Sequence, residues 1–355
     1  MPDDTLCLCL SQAKGILWAH GERSLDPCGR TRHVLSPAFG RRSPRSMFSL
    51  AHLSDPHLGP LPRPELPELL GKRILGFLSW NLRRRKIHER SVLDVLAADM
   101  ATAAPDHIVI TGDLVNISLP GEFVNAVQWL HGLGSPNDVT VIPGNHDAYV
   151  NIPWNQSIGR WAEFMTGSSP GNAGPEHRID SNDGFPFVRI RGGIALIGVS
   201  TARPMPANSA GGLVGRPQLE ALRRLLDDLG RAHLFRVILI HHPPHDSRHH
   251  RRKRLYDSTD FRDVVARHGA ELILHGHTHQ SGLRKLPTPS ENVPVISVPS
   301  ASAKADHGYR GHARYHLYRI ERKDDAWRLN VEVRGIAATL DRFDVEGQFH
   351  LTVPH

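Results

Sequence analysis

Cysteine is nearly missing from this chain of 355 residues: Cys7, Cys9 and Cys28 are its whole complement, and none occurs after residue 28. A fold built from the rest uses neither a disulfide nor a thiolate metal site, and the Cys7-Leu8-Cys9 pair lacks partner ligands. No apolar run reaches the eighteen or so residues of a membrane-spanning helix, which excludes an integral helical membrane protein. Internal repeats are absent, and no Pro/Gly/Ser linker divides residues 47–355. With 39% hydrophobic and 22% charged residues the composition is globular, which argues against disorder throughout and against a collagen-like repeat. The net charge of +7 is a mild basic bias, whereas the 24 histidines stand out.

Residues 1–46 differ in character from the remainder of the chain. They carry Arg23, Arg30, Arg32, Arg41, Arg42 and Arg45 with little apolar periodicity. Asp3 and Asp4 stand where a secretory or transit signal would be positive. Two readings stay open, a disordered extension or a native start at Met47, where a strand begins at once. The expected location is cytoplasmic, with residues 47–355 as the folded domain.

From residue 47 onward, short apolar runs end in clusters of Asp, His, Asn and Gly. Leu50–Ser54 precedes Asp55-Pro56-His57, and His107–Thr111 precedes Gly112-Asp113. Val139–Ile142 precedes Pro143-Gly144-Asn145-His146-Asp147. Val237–Ile240 precedes His241-His242-Pro243-Pro244, and Glu271–Leu274 precedes His275-Gly276-His277-Thr278-His279. Helical patterns lie between, at Arg90–Ala103, Gly121–His131, Pro217–Leu229 and Ser258–His268, and further strands are predicted at 185–191, 194–200, 293–298, 315–321, 327–334 and 349–353. Strands alternating with helices imply an α/β fold, two sheets face to face with helices outside, with the five clusters on one sheet edge.

Taken singly, each cluster is weak. Together, Asp55, His57, Asp113, Asn145, His241, His277 and His279 supply seven oxygen and nitrogen donors. Extended alternation predicts that Asp55/His57 and His277/His279 each converge on one region. Seven donors are too many for one tetrahedral zinc and suit two metals sharing a carboxylate.

This ordered set resembles the calcineurin-like metallophosphoesterase superfamily, whose signature runs Asp-x-His, Gly-Asp, Gly-Asn-His-(Asp/Glu), His, Gly-His-x-His. The His-His-Pro-Pro and Gly-His-Thr-His blocks are most similar to the bacterial class III cyclic nucleotide phosphodiesterases. The resemblance implies a four-layer αββα sandwich of two mixed β-sheets flanked by helices. It also implies two divalent metal ions (Mn, Fe, Zn or Co), Asp55, His57 and His279 on one, Asn145, His241 and His277 on the other, Asp113 between them. His146 would act over the phosphate, oriented by Asp147, during in-line attack by a hydroxide bridging the metals. The expected activity is hydrolysis of a small phosphodiester or phosphomonoester, a cyclic nucleotide among the candidates. Alternatives are a UDP-diacylglucosamine-type lipid pyrophosphate hydrolase, which carries Arg where this chain has His146, and a non-catalytic scaffold, which would lose ligands. A break-repair nuclease would add a capping domain. Where several relatives continue the second block to a further Asp, this chain has Asn116.

Two segments fall outside the signature. Residues 245–254 hold His245, Arg248, His249, His250, Arg251, Arg252, Lys253 and Arg254, either a solvated loop or a basic lip over the site. Aromatics for nucleic-acid stacking are not interleaved. Leu66–Leu82 has apolar residues at helical spacing followed by Arg83-Arg84-Arg85-Lys86. Its first reading is a helix packed on the core or capping the site, with a homodimer face and an anionic membrane surface as alternatives.

Overall fold

The computed structural model describes residues 47–167, 177–245, 251–289, 292–305 and 310–354. The two readings of residues 1–46, and positions 246–250 of the basic segment, lie outside them.

Six strands form the first sheet: β1 (Met47–Leu53), β2 (His107–Ile110), β3 (Val139–Val141), β12 (Arg314–Lys323), β13 (Ala326–Ile336) and β14 (Phe343–Pro354). Their order is β14-β13-β12-β1-β2-β3, with β1, β2 and β3 parallel and the C-terminal strands antiparallel. The second sheet is built from β6 (Phe187–Arg191), β7 (Ile194–Gly198), β8 (Phe235–Leu239), β9 (Leu272–His275), β10 (Gly282–Leu286) and β11 (Val293–Ser297). It runs β10-β11-β9-β8-β7-β6, parallel at its centre and antiparallel at both edges. A small ribbon pairs β4 (Thr166–Gly167) with β5 (His177–Arg178). Among the described residues the α-helices are α1 (Lys72–Leu82), α2 (Arg90–Ala103), α3 (Pro120–Leu133), α4 (Arg216–Arg231) and α5 (Ser258–His268).

Alternation along the second sheet sorts its side chains into two layers. Ile194, Leu196, Val237, Leu239, Leu272 and Leu274 join the core shared with the first sheet. Their neighbours Ala195, Ile197, Ile238, Ile240 and Ile273 pack with Leu219, Leu222, Leu226, Phe261 and Val265 of α4 and α5. Across the sheets, Phe235 meets Trp327 edge-on at 5.2 Å. On the far side, α2 and α3 bury Val92, Leu93, Leu96, Phe123 and Leu130 against the first sheet. The result is the expected mixed α/β arrangement of two sheets flanked by helices.

β4, β5 and β10 were not predicted, nor was the role of Arg189. β10 reads Gly-Leu-Arg-Lys-Leu with its middle three residues exposed, an edge strand whose charges hide the apolar alternation. Arg189 is fully buried on β6 yet donates to the carbonyls of Pro136, Val139 and Thr166, tying the edge of one sheet to the other. The segment at 66–82 also departs from the core-packing reading. Only Gly76 and Trp80 of α1 are buried, and most of its aliphatic side chains face outward.

His52, His107 and His316 are buried away from solvent, and His52 pairs directly with His316 across β1 and β12. His52 Nε2 meets the Thr111 hydroxyl at 2.9 Å, and His107 Nε2 meets that of Thr140 at 2.7 Å. Burial depresses all three imidazoles from their ordinary value of 6.5, His316 to about 3. Below about pH 6.5 the unfolded chain therefore binds more protons than the folded one. Stability should fall as pH drops through that point, by up to ~1.4 kcal/mol per pH unit for each histidine. His316→Gln removes one such group, so its urea midpoint should change less between about pH 7.5 and 5.5. Equal pH dependence in parent and variant would show that His316 does not stay neutral in the folded protein.

Candidate metal centre

All nine residues singled out in the sequence stand past the carboxyl ends of their strands on one edge of the two sheets. The first sheet brings Asp55, His57, Asp113, Asn145, His146 and Asp147; the second brings His241, His277 and His279. The convergence of the two Asp/His and His/His pairs does not come from extended alternation. β1 ends at Leu53 and β9 at His275, and Asp55, His57, Asp113, His277 and His279 all adopt left-handed backbone, with φ between 42° and 66°. Such conformations cost non-glycine residues of order 1–3 kcal/mol each and persist only where surroundings enforce them. Here main-chain bonds do so: Asp55 N–H donates to the Gly112 carbonyl and His57 N–H to that of Asp113, both at 3.0 Å.

Glycines permit the close approach. A Cβ on Gly276 would fall 2.4 Å from Asp55 Oδ2, and one on Gly144 would fall 2.2 Å from Asp113 Oδ1. Both carboxylates accept main-chain hydrogen bonds through these atoms, from His277 N–H at 2.9 Å and His146 N–H at 2.7 Å.

Two donor groups result. In one, His279 Nε2 lies 3.2 Å from Asp55 Oδ1 and 3.3 Å from His57 Nε2. In the other, His241 Nε2 lies 3.4 Å from Asp113 Oδ2 and 3.2 Å from Asn145 Oδ1. His277 joins the second group, its ligand atom within 4.8 Å of those of Asp113 and His241. Asp113 Oδ2 is also 3.9 Å from His57 Nε2, so one oxygen faces both groups.

Three of the four imidazoles, those of His57, His241 and His277, are oriented by carbonyls, which decides which nitrogen stays available. His241 Nδ1 points at the Thr111 carbonyl (2.6 Å), leaving Nε2 to the site. His277 does the reverse, Nε2 meeting the Lys253 carbonyl at 2.9 Å. His57 Nδ1 lies 3.3 Å from the Val115 carbonyl. The neighbouring His242 is spoken for at both nitrogens, by the Thr201 hydroxyl (2.7 Å) and the Ala210 carbonyl (3.1 Å).

The electrostatics call for a cation. Asp55 Oδ1 is fully buried and accepts no hydrogen bond. Burial works against ionising Asp55 and Asp113, but His279 beside the first and His241 beside the second outweigh it and hold both carboxyls below their usual range. Burial likewise opposes a charge on His241, yet the Asp113 carboxylate, then Asp55, raise it to about 9.

One expected role is corrected. Asp147 does not orient His146. Its carboxylate accepts the main-chain N–H groups of Asp113 (2.9 Å), Val115 (3.0 Å) and Gly144 (2.8 Å), clamping the second and third motif loops together. Burial and the Asp113 charge push its pKa up to about 7, against the pull of those donors. The His146 ring is set instead by the Asn116 carbonyl, 2.5 Å from Nδ1, and it stacks on Tyr149 at 5.6 Å.

Three more residues belong to the site that the sequence did not single out. Arg84 brings Nη2 to 3.0 Å from His57 Nδ1, a contact requiring the opposite tautomer from the one that suits Val115. His88 lies 4.8 Å from the His57 ring, stacks on Trp80 and bonds the Ser302 hydroxyl at 2.9 Å. Ser300 donates to the Asp55 carbonyl at 2.6 Å. The Arg83–Lys86 run was visible, but nothing in its spacing marks Arg84 as the member that turns inward.

Residues 48–281, more than half of the chain, match the family described as calcineurin-like phosphoesterase. The chain belongs to that family. It is a metal-dependent phosphoester hydrolase acting on a small phosphoester. A dimetal phosphatase from Danio rerio shares the fold at 14% identity, with a TM-score of 0.56 over 86% of this chain and 98% of that one. The calcineurin-like phosphoesterase YfkN from Bacillus subtilis matches 87% of this chain and 91% of its own at 12% identity and a TM-score of 0.37. No curated protein matches the chain in sequence.

A metal entering beside His241 must displace its proton. Mn or Zn affinity should therefore rise steadily from about pH 6 to the His241 value of about 9, with proton release on binding, measured by calorimetry in buffers of different ionisation enthalpy. Binding with no proton released at about pH 7 would mean that the His241 nitrogen is not a ligand.

Proposed function

We propose that the site holds two divalent cations and hydrolyses a phosphodiester or phosphomonoester. Asp55, His57 and His279 would hold the first, Asn145, His241 and His277 the second, and Asp113 both. The observation that carries this reading is the single oxygen of Asp113 that faces His57 Nε2 at 3.9 Å and His241 Nε2 at 3.4 Å. The donor set fits: carboxylate and imidazole suit Mn, Fe, Zn or Co, and the buried Asp55 oxygen lacks any hydrogen bond.

When bound, such a pair supplies Lewis acidity and an activated water for in-line displacement at phosphorus. The chain's own groups do the rest. Asp113 is kept anionic chiefly by His241 and turned inward by His146 N–H, so it faces both donor groups at fixed geometry. Asn116 fixes the His146 ring by its carbonyl, which presents Nε2 to the site. Burial, then Arg84, lower the His146 pKa to about 4, so the ring is neutral at pH 7 until an anionic substrate reverses that field. With a phosphate bound, His146 would stabilise its oxygens or pass a proton to the leaving group. Arg84 adds a fixed cation at the same edge.

Within this class our reading of the substrate is a cyclic nucleotide, supported by the likeness of the His241–Pro244 and Gly276–His279 blocks. A screen of cyclic nucleotides, nucleotide pyrophosphates and phosphomonoesters with the metal-loaded protein tests it, and turnover confined to the last two would discard it.

His146→Ala should keep both metals and lose turnover by about 10²–10⁴-fold. If the ring acts as an acid, the loss is larger for alkyl phosphodiesters than for nitrophenyl esters. Loss of a metal would move His146 among the ligands. Asp113→Ala should lower metal content more than any other single change and abolish turnover. Two metals retained in that variant would refute the shared-oxygen assignment.

A further inference from the structure

Six of the twelve large apolar side chains exposed among the described residues fall within one stretch of seventeen: Leu66, Leu70, Ile74, Leu75, Leu78 and Leu82. On α1 the last four follow i, i+1, i+4, i+8 spacing and form one face. The opposite face is seated on the protein. A Cβ on Gly76 would come within 2.5 Å of Ile117, and Trp80 is buried against His88. Arg73 donates to the carbonyls of Ile117 and Ser118. The helix is therefore fixed with its aliphatic face outward.

Charge says what that face meets. From Leu69 to His88 there is no acidic residue, while Lys72, Arg73, Arg83, Arg84, Arg85 and Lys86 are cations. Arg84 turns into the site, whereas Arg83, Arg85 and Lys86 are exposed at the end of the apolar stripe. An aliphatic stripe closed by cations complements an interface that is apolar within and anionic at its surface. A second copy is a poorer fit. A stable protein interface uses about 20–30 residues a side, and one short helix face falls well below that.

We propose that α1 and its cationic tail dock the protein onto an anionic phospholipid surface. The helix lies in the headgroup plane with Leu75 and Leu78 inserted and Arg83, Arg85 and Lys86 among the lipid phosphates. A groove of about 430 Å³ lined by Phe77, Trp80, Arg85 and His88 opens beneath this helix. On the functional reading above, docking holds the mouth of the metal site at the membrane. That placement rests on the reading, but the docking itself does not.

The test is flotation of the full-length protein with phosphatidylcholine vesicles, with and without phosphatidylglycerol. Binding should require phosphatidylglycerol and weaken with salt. Leu75→Glu/Leu78→Glu, and separately Arg83→Glu/Lys86→Glu, should each lower it about tenfold or more. Both variants should keep the parental thermal unfolding and turnover of bis(p-nitrophenyl) phosphate, which shows that they fold. No flotation of the parent, equal flotation on neutral vesicles, or flotation unchanged in both variants would overturn the proposal. A parent dimer that Leu75→Glu/Leu78→Glu splits, without lipid binding, would assign the face to a second copy. Flotation without any phosphoesterase turnover would leave docking standing and remove the enzymatic reading instead.

Discussion

Two carboxylates, Asp55 and Asp113, are held ionised in the interior at the junction of two sheets, and the rest of the site answers to that. An unpaired buried charge costs several kcal/mol, so every neighbouring group must supply positive charge or an N–H donor. The first sheet alone cannot do this. It contributes both carboxylates with His57, Asn145 and the His146 N–H, whereas His241 and His279, the imidazoles that hold the two carboxyls ionised, come with His277 from the second. Sheets packed with their parallel central strands ending on the same edge are what bring the two sets together. The left-handed turn at His277 aims its N–H back at Asp55, and the loop after β3 aims the His146 N–H at Asp113. Glycine is needed at 144 and 276 because a side chain there would occupy the space of the carboxylates themselves.

Much of this could be read from the chain. Strong strands such as Val237–Leu239 and Leu272–Leu274 announced themselves by apolar runs bounded by polar clusters, and their order placed the clusters on one edge. What the sequence carried less well was conformation past the strand ends. The pairs at 55/57 and 277/279 converge, but through left-handed turns that no spacing rule reveals. Asp147 shows the same limit. Its place beside His146 suggested a side-chain pair, while the fold spends both carboxylate oxygens on three main-chain donors from two loops. Adjacency in sequence says nothing about which of several nearby donors wins, since an N–H already fixed by a tight turn is a better partner than a mobile ring.

The stretch from 66 to 88 was ambiguous for a different reason. Its helical period was plain, but periodicity gives only which residues share a face, not which face is covered. Gly76 and Trp80 turned out to be the inner side because the gap at Gly76 admits Ile117 and Tyr149. That choice sends the leucines outward and swings Arg84 and His88 to the metal centre. The apolar stripe and the inward arginine are thus two results of one packing decision.

The Asn at 116, where the resemblance leads one to expect an acid, fits the same electrostatics. Asn116 sits fully buried beside Glu122, whose carboxylate accepts the main-chain N–H groups of Asn116 (2.6 Å), Ile117 (3.1 Å) and Leu119 (2.9 Å). Burial already pushes the Glu122 pKa up, and Asp147 and Asp113 lie on the adjoining loops. A further carboxylate at 116 would add like charge to an interior that has little cation to spare. The amide instead donates to the Leu58 carbonyl at 2.9 Å and ties the first motif loop to the second without that charge. Its main-chain carbonyl still reaches His146, so the orientation of that ring does not depend on which side chain stands there. The substitution therefore changes the field around the centre while leaving in place the geometry that the centre needs.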